Sequence, residues 1–213
     1  MTDDNEPPLI QAHGLGLRTR RGWIYQDVDL ELPPNSLTAL AGPAGSGRSM
    51  LLLTIAGRAK PTTGRLTVAG EQQRGKIRQL TAVARVTSAI ELEPELHVID
   101  HIREAELLTH GDYRAAARTL DLDIDPTALV ADLPPDEAVL LSVALALTNR
   151  PRAIVVDDVD IAATPAQQQR IWTALAAAGT AVIASTVDGR LAAEAGATVL
   201  QTTNEGNTTD ASA

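Results

Sequence analysis

Hydrophobic and polar positions alternate with a period of two near the start of the chain. Val28, Leu30 and Leu32 are interleaved with Asp27, Asp29 and Glu31. This predicts a half-buried strand, turned at its end by Pro33-Pro34-Asn35. Leu9–Leu17 precedes it as a candidate strand, behind an acidic leader over residues 1–8 that is expected to be disordered. The apolar run Leu37-Thr38-Ala39-Leu40-Ala41 reads as a buried strand, and Met50–Ala56 as a helix closed by Gly57. A turn at Lys60–Gly64 leads to an alternating strand at Arg65–Gly70, and Ala82–Val86 reads as another. From Val98 to Arg150 the period becomes helical, with polar breaks at 109–112 and 121–126. This block, about 88–150, predicts a small helical subdomain. Inside it, Pro134-Pro135-Asp136-Glu137 opens a helix over Asp136–Thr148, with acidic residues in its first turn. Strand and helix then alternate again: Ala153–Val156, Pro165–Ala178, Ala181–Ala184, Arg190–Ala195 and Ala197–Leu200. Gln201–Ala213 is polar and aperiodic, and is expected to be a disordered tail. The order of elements predicts one α/β domain over 9–200 with a mainly parallel sheet and an antiparallel part before it.

The segment between the Leu37–Ala41 strand and the following helix turns this outline into chemistry. Gly42-Pro43-Ala44-Gly45-Ser46-Gly47-Arg48-Ser49 has the form G-x-x-x-x-G-[K/R]-S, with arginine where lysine is expected. Glycines let successive N–H groups converge on one point, and a helix N-terminus behind them adds its positive end. A strand–loop–helix setting of this kind predicts a P-loop NTPase. Gly42 to Ser49, with Met50, become candidate nucleotide-binding residues, and Ser49 a candidate Mg²⁺ ligand. Such a site needs a strand-terminal carboxylate beside the metal, and Asp157 after Ala153–Val156 supplies it. Asp158 follows where a base or water-orienting carboxylate belongs. His97 and His101 stand four apart, but no Glu occupies the second position of a zinc motif and no third ligand is evident. They read as structural or solvent-facing.

Composition narrows the partners. The 213 residues carry a formal net charge of −9, which argues against non-specific nucleic-acid binding and gives no expectation of a nucleic-acid partner. The chain has no cysteine, so disulfides, thiolate metal sites and a cysteine nucleophile are excluded. Residues 1–8 lack the pattern of a signal peptide, and the apolar stretch Ala138–Leu147 is too short to span a bilayer. The expectation is a cytoplasmic protein that reaches the inner face of the plasma membrane only through a partner.

The order of these parts resembles the ATP-binding cassette (ABC) ATPases from Leu9 to Leu200. The resemblance is carried by Val28–Leu32, Leu40–Ser49, Leu51–Gly57, Pro61–Gly64, Leu92–Val98 and Ile154–Asp158. In finer detail the chain looks like a divergent actinobacterial-type branch, with arginine in the phosphate loop and Val156-Asp157-Asp158-Val159-Asp160 after the second strand. The resemblance implies ATP and Mg²⁺ as ligands and an ATP-binding subunit pairing as a homo- or heterodimer. It also implies an integral-membrane permease driven by closure on ATP. It places the catalytic carboxylate at Asp158, where the family has the longer glutamate. The adenine-stacking aromatic is expected near Thr19, where Trp23, or else Tyr25, stands in. The metal-binding glutamine falls at Ser88, the signature glycines at Leu133–Glu137 and the switch histidine at Val187, and none of those residue types is present. Two readings follow: a transporter subunit with slow hydrolysis, or a nucleotide-gated subunit that does not hydrolyse.

Overall fold

The computed structural model describes residues 7–202 and the backbone of 208–210. In chain order the elements are β1 (Ile10–Thr19), β2 (Gly22–Leu32), β3 (Leu37–Ala41), α1 (Arg48–Ile55), β4 (Thr63–Val68), α2 (Arg74–Leu80) and β5 (Thr81–Arg85). Then come α3 (Val98–Thr109), α4 (Tyr113–Thr119), α5 (Pro135–Leu147), β6 (Ala153–Val156), α6 (Pro165–Ala176), β7 (Ala181–Thr186), α7 (Arg190–Glu194), β8 (Thr198–Thr202) and β9 (Thr208–Asp210).

Two sheets result. One is antiparallel, with order β2-β1-β4; the other has order β5-β6-β7-β3-β8-β9, parallel except for β9. The period-two pattern in β2 does what it predicts, burying Val28, Leu30 and Leu32 while Asp27, Asp29 and Glu31 stay outside. The strand starts earlier than that pattern, at Gly22, because Trp23 and Tyr25 pair with Arg18 and Leu17 across an extra residue, Ile24.

The strands of the larger sheet are apolar on both faces, as buried parallel strands must be. Leu40, Ala153, Val155, Ala181 and Ile183 face α1 and the antiparallel sheet, with Leu51, Leu52 and Ile55 filling the space between. Ala39, Ile154, Val156, Val182 and Ala184 face the other way, onto Val139, Leu140 and Val143 of α5 and Ile171, Trp172 and Leu175 of α6. The same apolar cluster continues into the helical block through Val98, Ile102, Tyr113, Ala116 and Leu120. α5 is therefore buried along most of its length and ties that block to the sheet.

The tail needs a correction. Gln201 and Thr202 close β8, and Thr208–Asp210 pair with it, Leu200 opposite Asp210. Backbone pairing at a sheet edge requires no apolar alternation, and threonine favours the extended backbone, so the polar sequence hid the strand. The disorder expected at 1–6, 203–207 and 211–213 lies outside the described residues. The short helix α2 also went unread, because its one buried residue, Ile77, leaves no period to detect.

Candidate functional site

Parallel register brings the pieces of the site together. Leu40 lies opposite Ser185 and Ala41 opposite Thr186, while Val156 lies opposite Ala184. The carboxyl ends of β3, β6 and β7 therefore place Gly42, Asp157 and Ser185-Thr186 along one edge of the sheet, where ligands of open α/β sheets bind.

The loop from Gly42 to Gly47 curls above that edge. Gly45 and Gly47 both take φ +84°, in the left-handed region. At Gly47 a side chain is also excluded by space, since a Cβ would lie 2.4 Å from the Ile24 carbonyl oxygen. At Gly42 it would lie 2.3 Å from Thr202 Oγ1. Thr202 closes the loop from below: its hydroxyl donates to the Ala41 carbonyl at 3.1 Å and accepts from Ser46 Oγ at 2.8 Å. Pro43, Ala44 and Gly45 remain exposed at the crest. α1 begins directly behind, so Arg48, Ser49 and Met50 sit in its first turn, where backbone N–H groups have no intrahelical partner. These N–H groups and the helix dipole form an anion cradle.

Arg48 does not reach outward. Its guanidinium is buried, donating through Nη1 to the carbonyls of Gly42 and Thr186 and through Nη2 to Asp158 Oδ1 at 3.2 Å. Three acceptors around a planar fork is a geometry that an ammonium on a flexible stem does not share. Asp158 has φ +47°, and its N–H donates to Ser185 Oγ at 2.7 Å. Burial and the neighbouring Asp157 carboxylate push the Asp158 carboxyl above the usual range, against the pull of Arg48.

Asp157 is fully buried. One oxygen, Oδ1, accepts from Ser185 Oγ; the other, Oδ2, has no partner among the described residues. A buried carboxylate oxygen left unpaired is costly unless a cation completes it. That orphan fits a divalent metal, with Ser49 in the first turn of α1 as the hydroxyl the sequence assigns to the same ion. Asp160 lies close by, its Oδ2 accepting from Thr186 Oγ1 at 3.1 Å and from the Val187 N–H at 2.7 Å.

A family model described as ABC transporter matches residues 25–160. The chain belongs to the ABC transporter family. Among curated relatives of this ABC chain, Ribose import ATP-binding protein RbsA 1 of Rhizobium johnstonii is 27% identical over 186 residues, covering 79% of this chain and 36% of that protein. Hemin import ATP-binding protein HmuV of Gloeobacter violaceus is 40% identical over a shorter stretch of 63 residues, 30% of this chain and 23% of that one. The ABC chain thus spans about a third of the length of the ribose-import relatives. Among solved structures, cbiO1 from Clostridium perfringens, part of the ABC transporter complex cbiONQ, has a TM-score of 0.77 at 16% identity. That match covers 96% of this chain and 88% of that one. A nucleotide-free ATP-binding cassette from an ABC transporter gives 0.79 at 14%, covering 94% and 89%. The cassette fold expected from the sequence is therefore present.

The positions at which this ABC chain departs from its family have new partners. In Leu133–Glu137, Asp136 is turned inward and buried, accepting from Gln167 Nε2 at 2.9 Å and Arg170 Nη1 at 2.7 Å. The acid at the start of α5 is thus neutralised by α6. Val187 is exposed and contributes its backbone N–H to Asp160. Ser88 takes φ +61° and its N–H donates to Glu91. Trp23 is 42% exposed, with the Arg18 guanidinium 5.5 Å from its ring centroid, and the next residue, Ile24, abuts Gly47. Tyr25, the other aromatic considered for adenine, is excluded: it is buried, donates to Thr54 Oγ1 at 2.6 Å, and has its phenol pushed up to about 12 by burial. His97 and His101 have separate partners, His97 opening α3 with its N–H on Asp100 and His101 buried against the Glu93 carbonyl. Sequence reading missed Ser185, Thr202, Gln167 and Arg170, whose roles exist only through contacts distant along the chain.

Proposed function

We propose that this chain is an ATP-binding subunit of an ABC-type transporter, cytoplasmic and held at the membrane through a permease partner. It binds ATP with Mg²⁺ at the Gly42–Ser49 loop and turns it over slowly. The observation that carries this reading is the convergence of the loop, Asp157 with its open oxygen, and the Arg48–Asp158 pair at one sheet edge. Gly42 to Met50 contribute the loop and first-turn N–H groups that receive the phosphates, and Trp23 offers its exposed ring to the adenine. Ser49 and Asp157 hold the metal. When bound, Mg²⁺ neutralises phosphate charge and polarises the phosphoryl oxygens. Asp158 orients the attacking water, but it stands one methylene short of a glutamate and is engaged by Arg48, so hydrolysis is slow. The names of the curated relatives, which speak of ribose import and hemin import, support a transport role. A structure described as a dimeric cassette from a bacterial ABC transporter, with a TM-score of 0.76, supports pairing with a second cassette, of the same or another chain.

The Arg48–Asp158 pair, with Val187 where a histidine is expected, also favours a second reading: a nucleotide-gated subunit that closes on ATP without hydrolysing it. Equilibrium ATP·Mg²⁺ binding and steady-state phosphate release separate the two, with Arg48→Ala and Asp157→Ala as controls. Binding with slow turnover supports the first, and binding with none the second. A wild-type chain that fails to bind ATP·Mg²⁺ sinks both.

A further inference from the structure

Asp157 is held by a residue that no phosphate-loop motif assigns. Ser185 is the penultimate residue of β7, a strand buried throughout, and is completely enclosed. Its hydroxyl has one proton and two lone pairs, and the structure spends them on the two consecutive acids. The proton goes to Asp157 Oδ1, and a lone pair receives the Asp158 N–H at 2.7 Å. The Ser185 carbonyl then accepts from the Val159 N–H at 3.0 Å. Three successive residues after β6 are thus anchored to one residue of β7. From the other side, the Asp157 N–H is fixed to the Arg85 carbonyl at 3.0 Å.

We propose that Ser185 is a positioning residue that aims Asp157 at Mg²⁺ and fixes Asp158 beside it; this rests on the nucleotide-binding reading above. The hydroxyl engages one carboxylate oxygen and, among the described residues, leaves Oδ2 without a partner, as is Asp160 Oδ1 nearby. A serine present only to satisfy a buried acid leaves the second oxygen unexplained, because an uncompensated buried charge destabilises the fold. A hydrogen bond from outside the metal's own ligands orients the ligand and tunes its affinity, and its loss commonly weakens metal binding by roughly 10- to 100-fold. The same hydroxyl receives the Asp158 N–H and so helps hold that residue at φ +47°, in the left-handed region that aspartate tolerates better than most side chains.

The test compares ATP affinity with Mg²⁺ and in EDTA for the wild type, Ser185→Ala and Ser185→Thr, all in the full chain. The informative quantity is the ratio of the two affinities, which a change in fold stability alone leaves unmoved. Ser185→Ala is expected to reduce this ratio by roughly tenfold or more, and Ser185→Thr, which keeps the hydroxyl, to restore most of it. Mn²⁺ bound with ATP, followed by its paramagnetic resonance, should show the same order. If Ser185→Ala does not fold, Ser185→Cys, with a weak donor of similar size, should give a partial loss. A ratio in Ser185→Ala equal to that of the wild type overturns the proposal alone. A wild type whose affinity is indifferent to Mg²⁺ overturns the nucleotide–metal reading together with it.

Discussion

Neutralising Asp158 should tighten ATP binding even though it removes the candidate catalytic carboxylate. Arg48 is bound to Asp158 Oδ1 at 3.2 Å, with side chains 7% and 18% exposed. At an effective dielectric of about 20 that separation corresponds to roughly 5 kcal/mol of gross attraction. Desolvation offsets most of it, so the net coupling is about 1–2 kcal/mol. Nucleotide phosphates must draw the guanidinium away from this carboxylate or share it, and they meet a second negative charge there. Asp158→Asn removes both costs while keeping the side-chain size. At about 1.4 kcal/mol per decade, the affinity for ATP·Mg²⁺ should rise roughly tenfold, while turnover falls. Isothermal titration with ATP·Mg²⁺ measures the first and single-turnover phosphate release the second. The double variant Arg48→Ala/Asp158→Asn completes the cycle: without the guanidinium, the gain from Asn should shrink to the repulsion component alone. Unchanged or weaker ATP binding in Asp158→Asn refutes the reasoning, because the pair would then not oppose the ligand.

The same carboxyl sets a pH dependence. Burial and Asp157 raise its pKa in the folded state above the ordinary 3.8, so in the window above 3.8 the native protein binds more protons than the unfolded chain. Stability from this group is therefore lost as pH rises through the raised value. Asp158→Asn should melt higher than wild type at neutral pH, with the gap closing toward pH 3.8 in a series of thermal scans. Arg170→Ala leaves Asp136 buried with Gln167 as its remaining partner, and should lower stability by about 2 kcal/mol in urea unfolding; Asp136→Asn in that background should recover part of the loss. Gly47→Ala combines a forbidden φ with a Cβ 2.4 Å from the Ile24 carbonyl. It should cost more than about 1 kcal/mol of stability and reduce ATP affinity by displacing β2 from the loop.

What could be read from the chain and what could not divide along a physical line. The phosphate loop was legible because left-handed φ and steric closeness both require glycine, and the motif fixes their spacing. Asp157 was legible because a short apolar run ending in a carboxylate marks a strand edge. Ser185 and Thr202 were not, because nothing in their local sequence separates a buried hydroxyl from an ordinary strand residue; register with β3 and β6 gives them their partners. Asp136 was legible as an acid in the first turn of α5, but not the Arg170 and Gln167 that α6 supplies to neutralise it. Charge at a position is a property of the sequence, but its effect depends on what packs against it.

The departures at Arg48, Asp158 and Val187 also depend on one another. A guanidinium is long enough to reach the Gly42 and Thr186 carbonyls and still meet a carboxylate, and a shorter aspartate leaves it room. With no histidine at Val187, the backbone there is held through its N–H by Asp160, which also takes the Thr186 hydroxyl. Beside the loop this sets Asp157, Asp158 and Asp160 against the cation of Arg48 among the described residues, a net negative charge at the place a polyanionic ligand would meet. Coulomb repulsion then opposes ATP alone, and a divalent cation seated on Asp157 would cancel that excess charge. The arrangement makes metal dependence the sharpest property of the site: ATP in EDTA should bind far more weakly than ATP with Mg²⁺. That difference should narrow in Asp158→Asn, where one of the three carboxylates has been removed and Arg48 Nη2 no longer faces a charge.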